Sequence, residues 1–136
     1  LPSFLNQANK AKQSEAKQYL ASINKGQQAF YAEKGDFVTD VANITDLGLG
    51  IKTATGNYTY SLETSTGGSG GANAWTKNAA KGLRYYAGLV YLTDASGALT
   101  SQTAICESTA TSQAVDDAQT APGAMTDCGG EFPNSL

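Results

Sequence analysis

The chain has 136 residues, 40% of them hydrophobic and 15% charged, with a formal net charge of -3. That is enough apolar material for one core, and the acidic balance argues against a nucleic-acid binder. There is no histidine, which excludes Ser-His-Asp triads, Cys-His dyads and histidine-ligated zinc enzymes within the chain.

The first element is a helix from Ser3 to about Lys34, with Ser3 as its cap after Pro2 and Gly35 as its stop. Its apolar residues (Phe4, Leu5, Ala8, Ala11, Ala16, Tyr19, Leu20, Ile23, Phe30, Tyr31) recur at steps of mostly three and four, which marks one helical face. Between Asn6 and Lys17 that face carries only alanines, whereas from Tyr19 to Tyr31 it is bulky. The second half is therefore expected to pack on a core. The first half is expected to project, because a helix of about 45 Å is longer than a globule of this size is wide. Gly26 reads as an interior blemish costing about 1 kcal/mol relative to Ala.

Residues 35–136 form the expected head. A connecting region over 35–56 includes a possible helical turn at Asp46–Leu49. The sheet covers about 57–108, and a cysteine-bounded region spans 106–128. Asn57–Glu63 alternates cleanly, with Tyr58, Tyr60 and Leu62 on one face, and predicts a half-buried strand. Thr64–Ala74, with its Gly67-Gly68-Ser69-Gly70-Gly71 run, reads as a flexible surface loop. Leu83–Thr93 has apolar groups on both faces, so it predicts a central strand covered on both sides. The Asp94-Ala95-Ser96-Gly97 turn then returns Leu99–Ser108 as its partner. Residues 109–127 are rich in Thr, Ser, Ala and Asp and hold few apolar anchors.

Charge divides along the same boundary. Residues 1–34 carry five lysines against two glutamates, and residues 35–136 carry four basic against ten acidic groups. The two cysteines, Cys106 and Cys128, lack zinc spacing. They predict one disulfide in an exported protein, with two free buried thiols as the alternative. Asp116, Asp117, Asp127 and Glu131 could supply oxygen ligands to calcium, but no EF-hand spacing accompanies them and a solvated acidic loop is the plainer reading. Lys77, Lys81 and Arg84, with Trp75, Tyr85 and Tyr86 nearby, form a candidate contact for DNA or another phosphate surface; a solvated face beside a core strand is the alternative. The glycine run lacks the lysine of a phosphate loop. Asn43-Ile44-Thr45 and Asn57-Tyr58-Thr59 match the N-glycosylation pattern. No serine or threonine has an evident base to activate it, so the chain is not read as an enzyme.

Leu1-Pro2-Ser3-Phe4-Leu5-Asn6-Gln7-Ala8 and Lys10-Ala11-Lys12-Gln13-Ser14-Glu15-Ala16-Lys17 resemble the stretch just after the membrane segment of type IV pilins. Gly26-Gln27-Gln28-Ala29-Phe30-Tyr31, Gly35-Asp36-Phe37, Leu47-Gly48-Leu49-Gly50-Ile51 and Asn57-Tyr58-Thr59-Tyr60 extend the match, in the manner of cyanobacterial major pilins. The resemblance implies an α+β fold: a long helix laid on a small antiparallel sheet of three or four strands, with a disulfide-bounded C-terminal loop closed by Cys106 and Cys128. It implies a structural subunit without cofactor or metal. Helices bundle in the filament axis, heads form the surface, and extension and retraction by cytoplasmic ATPases drive twitching motility, adhesion and DNA uptake.

The partners so implied are other pilin subunits, the pilus assembly machinery, and DNA or surfaces. Phe4, Leu5 and Ala8 would make contacts between subunit helices, and Tyr19, Leu20, Ile23 and Phe30 would pack the helix on the head. Pro2 resembles the family's helix-kinking proline. Roughly twenty further apolar residues are expected upstream, long enough to hold the subunit in the inner membrane before assembly. The rivals are a minor pilin, a pseudopilin of a type II secretion system and, from another class, a free surface-adhesion or DNA-binding module.

Overall fold

A computed structural model describes residues 2–50, 52–114 and 117–136. One helix, α1 (Pro2–Lys34), precedes a 3-10 helix (Val41–Leu47) and the strands β1 (Tyr58–Ser65), β2 (Gly71–Ala79), β3 (Arg84–Ala95) and β4 (Ala98–Thr111), with two-residue strands β5 (Asp117–Ala118) and β6 (Asn134–Ser135). The sheet is antiparallel in the order β1-β2-β3-β4-β6, with β5 on β2. The fold is α+β, a long helix on an antiparallel sheet, with two short strands, β5 and β6, beyond the three or four that the sequence suggests.

The helix begins at Pro2, so Ser3 lies inside it rather than capping it; proline suits a first helical position, where its missing N–H is not needed. Gly35 ends the helix at φ 72°, and its N–H returns to the Tyr31 carbonyl at 2.8 Å. The turn expected at Asp46–Leu49 is instead the 3-10 helix that starts at Val41. The Asp40 side chain caps it by accepting from the Ala42 N–H.

Thr64–Ala74 is not a flexible loop. Its second half is the start of β2, where Gly71, Ala72, Asn73 and Ala74 are buried. A Cβ on Gly71 would overlap the Val90 carbonyl oxygen. Glycine here serves a close backbone approach, not mobility. The turn itself is short: Gly70 N–H bonds the Gly67 carbonyl, and Ser69 and Gly70 pair with Leu92.

β3 is the central strand and is covered on both faces. Register places Tyr86, Gly88, Val90 and Leu92 on the helix side with Ala72, Ala74, Ile105 and Ser101, and Ala87 and Leu89 on the opposite side with Trp75, Asn73 and Cys106. The opposite side is closed by the C-terminal segment. Phe132 is buried there, and Gly123 is pinned by Glu63 Oε1, which accepts its N–H at 2.7 Å, and by Asn73 Nδ2, which donates to its carbonyl at 2.6 Å. Residues 109–111, though they hold few apolar anchors, extend β4 along β3.

Candidate assembly surface

The helix lies along β3 in the same direction, and its contacts change character on the way. Phe4 and Leu5 are 70% and 69% exposed, and Ala8 is exposed with them. The first firm tie to the head is Gln13, whose Oε1 accepts the Arg84 N–H at 2.9 Å where β3 begins. Ala16, Leu20 and Ile23 are then fully buried. Tyr19 lies against Tyr60 with ring centroids 5.0 Å apart, and Phe30 is partly buried at the core's edge. Among the described residues no strand lies beneath residues 2–12, which extend about 16 Å beyond that first tie.

Polar residues on the same face complete the docking. Gln27 is 1% exposed; its amide donates to the Val38 carbonyl and accepts the Val38 N–H at 2.9 Å, pairing as a strand residue would. Asn24 donates to the Ala104 carbonyl at 3.3 Å and rests on Gly88. Glu107, on β4, accepts from the Tyr86 hydroxyl at 2.6 Å and pairs with Arg84 at 3.4 Å and Lys17 at 3.8 Å. The Lys17 ammonium also sits 5.6 Å from the Tyr86 ring centroid. Attention to apolar periodicity misses these residues. The signal was present, since Asn24 and Gln27 continue the Ala16, Leu20, Ile23 spacing.

The seam is dry enough to perturb its phenols. Burial is the main cause that pushes the Tyr58 and Tyr60 hydroxyls far above the ordinary tyrosine range, with Tyr86 and then Glu107 adding at Tyr58 and Glu15 adding at Tyr60. Tyr86 rises through burial first and then through its hydrogen bond to Glu107.

On the other face of the sheet, Cys106 and Cys128 form a disulfide with Cα atoms 5.5 Å apart, and no free cysteine remains. It ties the C-terminal segment to β4 beside the core. Long helix, sheet and bridge together match one family, and the profile of the type IV pilin-like G and H family fits residues 13–129. The chain belongs to this type IV pilin-like family. No curated protein and no solved structure matches it.

The pilin-like family is a structural one, and no metal-holding cluster occurs among the described residues. Of the acidic candidates, Asp127 accepts the Cys128 N–H at 2.8 Å and Glu131 accepts the Thr120 N–H at 3.2 Å. Both carboxylates are thus engaged with backbone. Asp116 lies outside the described residues.

The Lys77, Lys81 and Arg84 group lies along the β2–β3 hairpin. Lys77 is on β2, Lys81 in the β2–β3 turn and Arg84 at the start of β3, where Glu107 pairs with it. Its proposed stacking partners are not available. Trp75, Tyr85 and Tyr86 are all buried, at 7%, 3% and 0% exposure, so no base can stack on them. Asn57, in the second glycosylation match, donates to Glu15 at 3.3 Å; Asn43, in the first, is exposed on the 3-10 helix. No helix among the described residues is long and apolar enough to cross a membrane.

Proposed function

We propose that this pilin-like protein is a structural subunit of a type IV pilus filament, displayed at the cell surface and supporting twitching motility, adhesion and DNA uptake. The observation that supports this most is the helix end: two large apolar side chains, Phe4 and Leu5, stand in solvent. Burying such side chains against neighbouring helices yields roughly 1.5–3 kcal/mol each, which is what a bundled filament core supplies. On this reading the partners are other copies of the chain and the assembly machinery, and the subunit is held at the inner membrane before it is assembled. The disulfide favours a pilin over a major pseudopilin, whose corresponding loop binds calcium.

Shearing filaments from cells that express the full-length protein, then identifying their main component by mass spectrometry, tests this. The chain is expected as that component. Phe4→Ser/Leu5→Ser should abolish filaments while leaving the melting temperature of the 136-residue protein unchanged. Filaments that lack the chain, or that are indifferent to the double substitution, would overturn the reading.

A further inference from the structure

The N-terminal part of the helix is basic, and the segment that follows its C-terminal end is acidic. Residues 2–14 contain Lys10 and Lys12 and no acidic group. Both lysines are exposed, and neither has an ion-pair partner among the described residues. At the far end, an open cleft is lined by Phe30, Phe37 and Val38 and rimmed by Asp36, Asp40 and Asp46, with Lys34 the one cation in its lining. All three aspartates are exposed. One Asp40 oxygen caps the 3-10 helix; neither Asp36 nor Asp46 is in a salt bridge among the described residues.

An apolar floor with a carboxylate rim suits a lysine, whose methylenes lie on the rings while its ammonium reaches the carboxylates. The chain's own stalk lysines cannot reach this cleft. Lys12 and Lys34 are 22 residues apart on one straight element, about 33 Å. A second copy displaced by about that distance along the helix direction brings its Lys10 and Lys12 level with the cleft. Such a contact joins two different surfaces, so it does not close into a dimer and repeats into an open array.

We propose that the Asp36–Asp40–Asp46 cleft receives the Lys10–Lys12 stalk segment of a second copy of this chain and so sets the stagger between neighbouring subunits. The proposal rests on the filament reading above, but it can fail while that reading stands. An equal mixture of 15N-labelled and unlabelled 136-residue protein, at millimolar concentration and low salt, is treated with a carbodiimide, which joins a lysine amine to a carboxylate it touches. Mixed-isotope peptides should join Lys10 or Lys12 to Asp36, Asp40 or Asp46. Their yield should fall at least tenfold at 0.5 M salt, because exposed charges are screened over about 10 Å already at 0.1 M.

Lys10→Glu/Lys12→Glu alone and Asp36→Lys/Asp46→Lys alone should each lower dimer yield at least tenfold. A mixture of the two variants should recover it, because the unaltered stalk of the second meets the unaltered cleft of the first, beside the charge-reversed pair. Links to other carboxylates, no intermolecular link, or no recovery in the mixture would each overturn the proposal. Whether the full-length chain is found in filaments is a separate readout and decides only the filament reading.

Discussion

Gly88 tests how closely the helix is fitted to the sheet. It sits in the middle of β3 with an ordinary strand backbone, so its replacement by alanine is favoured on chain entropy alone by about 0.4–1 kcal/mol. The packing says otherwise. An added Cβ would stand 3.0 Å from Asn24 Oδ1, 3.2 Å from Leu20 Cβ and 3.4 Å from Asn24 Nδ2. Leu20 Cβ is fixed to the helix backbone and cannot rotate away, so the helix itself must retreat by a few tenths of an ångström. That movement loosens Ala16, Leu20 and Ile23, all 1% exposed or less, and stretches the Asn24 bond to Ala104. Overpacking of this kind costs about 1–3 kcal/mol and outweighs the entropic gain. Gly88→Ala should therefore lose about 1–2 kcal/mol net, a drop of roughly 3–8 °C in Tm for a chain of this length. Gly56→Ala is the control, because nothing lies within 4 Å of the added carbon and its φ is ordinary; it should change stability by less than about 0.5 kcal/mol. Thermal or urea melts that find Gly88→Ala as stable as Gly56→Ala would refute the argument.

Ile23→Ala should cost about 2–5 kcal/mol, whereas Ala8→Ser should leave the melt of the 136-residue protein within error; equal losses would contradict a free helix end. Tyr58, Tyr60 and Tyr86 have folded-state pKa values raised above the unfolded value, so their contribution is complete below about pH 10 and is lost as the pH climbs past it. Absorbance at 295 nm should show these three ionising only as the circular dichroism of the fold collapses, and a reversible titration of all seven tyrosines in the folded state would be the contrary result. Reducing the Cys106–Cys128 bridge should remove about 3 kcal/mol in the chain-entropy model. Hydrogen exchange should then quicken first over 117–128 and not over 107–111, which β3 holds; uniform acceleration across the head would count against this.

The helix, the central strand and its hairpin were legible because each has a strong local signal: a stripe at steps of three and four, a run apolar on both faces, and the turn at Ser96-Gly97, where both residues take positive φ. The failures share one cause. Glycine was read by its local effect, flexibility at 67–71 and blemish at 26, whereas its use in the fold is close approach. A Cβ at Gly26 would stand 3.1 Å from Leu49 Cδ1, in the loop that packs there. The C-terminal segment has few apolar residues, so apart from the disulfide its anchors were not legible. It is held instead by Glu63 and Asn73 hydrogen-bonding the Gly123 backbone, partners 50 and 60 positions away that no local pattern announces.

The extent of the free helix end follows from β3 rather than from the helix. Helix and strand keep step along their contact: Gln13 at Arg84, Lys17 at Tyr86, Leu20 and Asn24 at Gly88, and Gln28 at Ser101, the partner of Leu92. From Gln13 to Gln28 the helix advances about 22 Å, and from Arg84 to Leu92 the strand advances about 26 Å. The docked length is therefore set by how much strand there is. Toward the C-terminal end the helix passes to a different support, since Gln27 holds the chain that follows Gly35 by both backbone groups of Val38. Toward the N-terminal end β3 stops at Arg84, and among the described residues no strand takes its place beneath residues 2–12, where Asn9 comes against the β2–β3 turn at Gly82. Helix-forming residues carry α1 on regardless, through Ala8, Ala11 and their polar neighbours, because helix propensity does not depend on a sheet being present. A head that ends its docking with a hydrogen bond to the first residue of its central strand leaves the remaining helix for contacts outside the subunit. Substitutions before Gln13 should accordingly separate assembly from folding, and those from Ala16 to Gln27 should not.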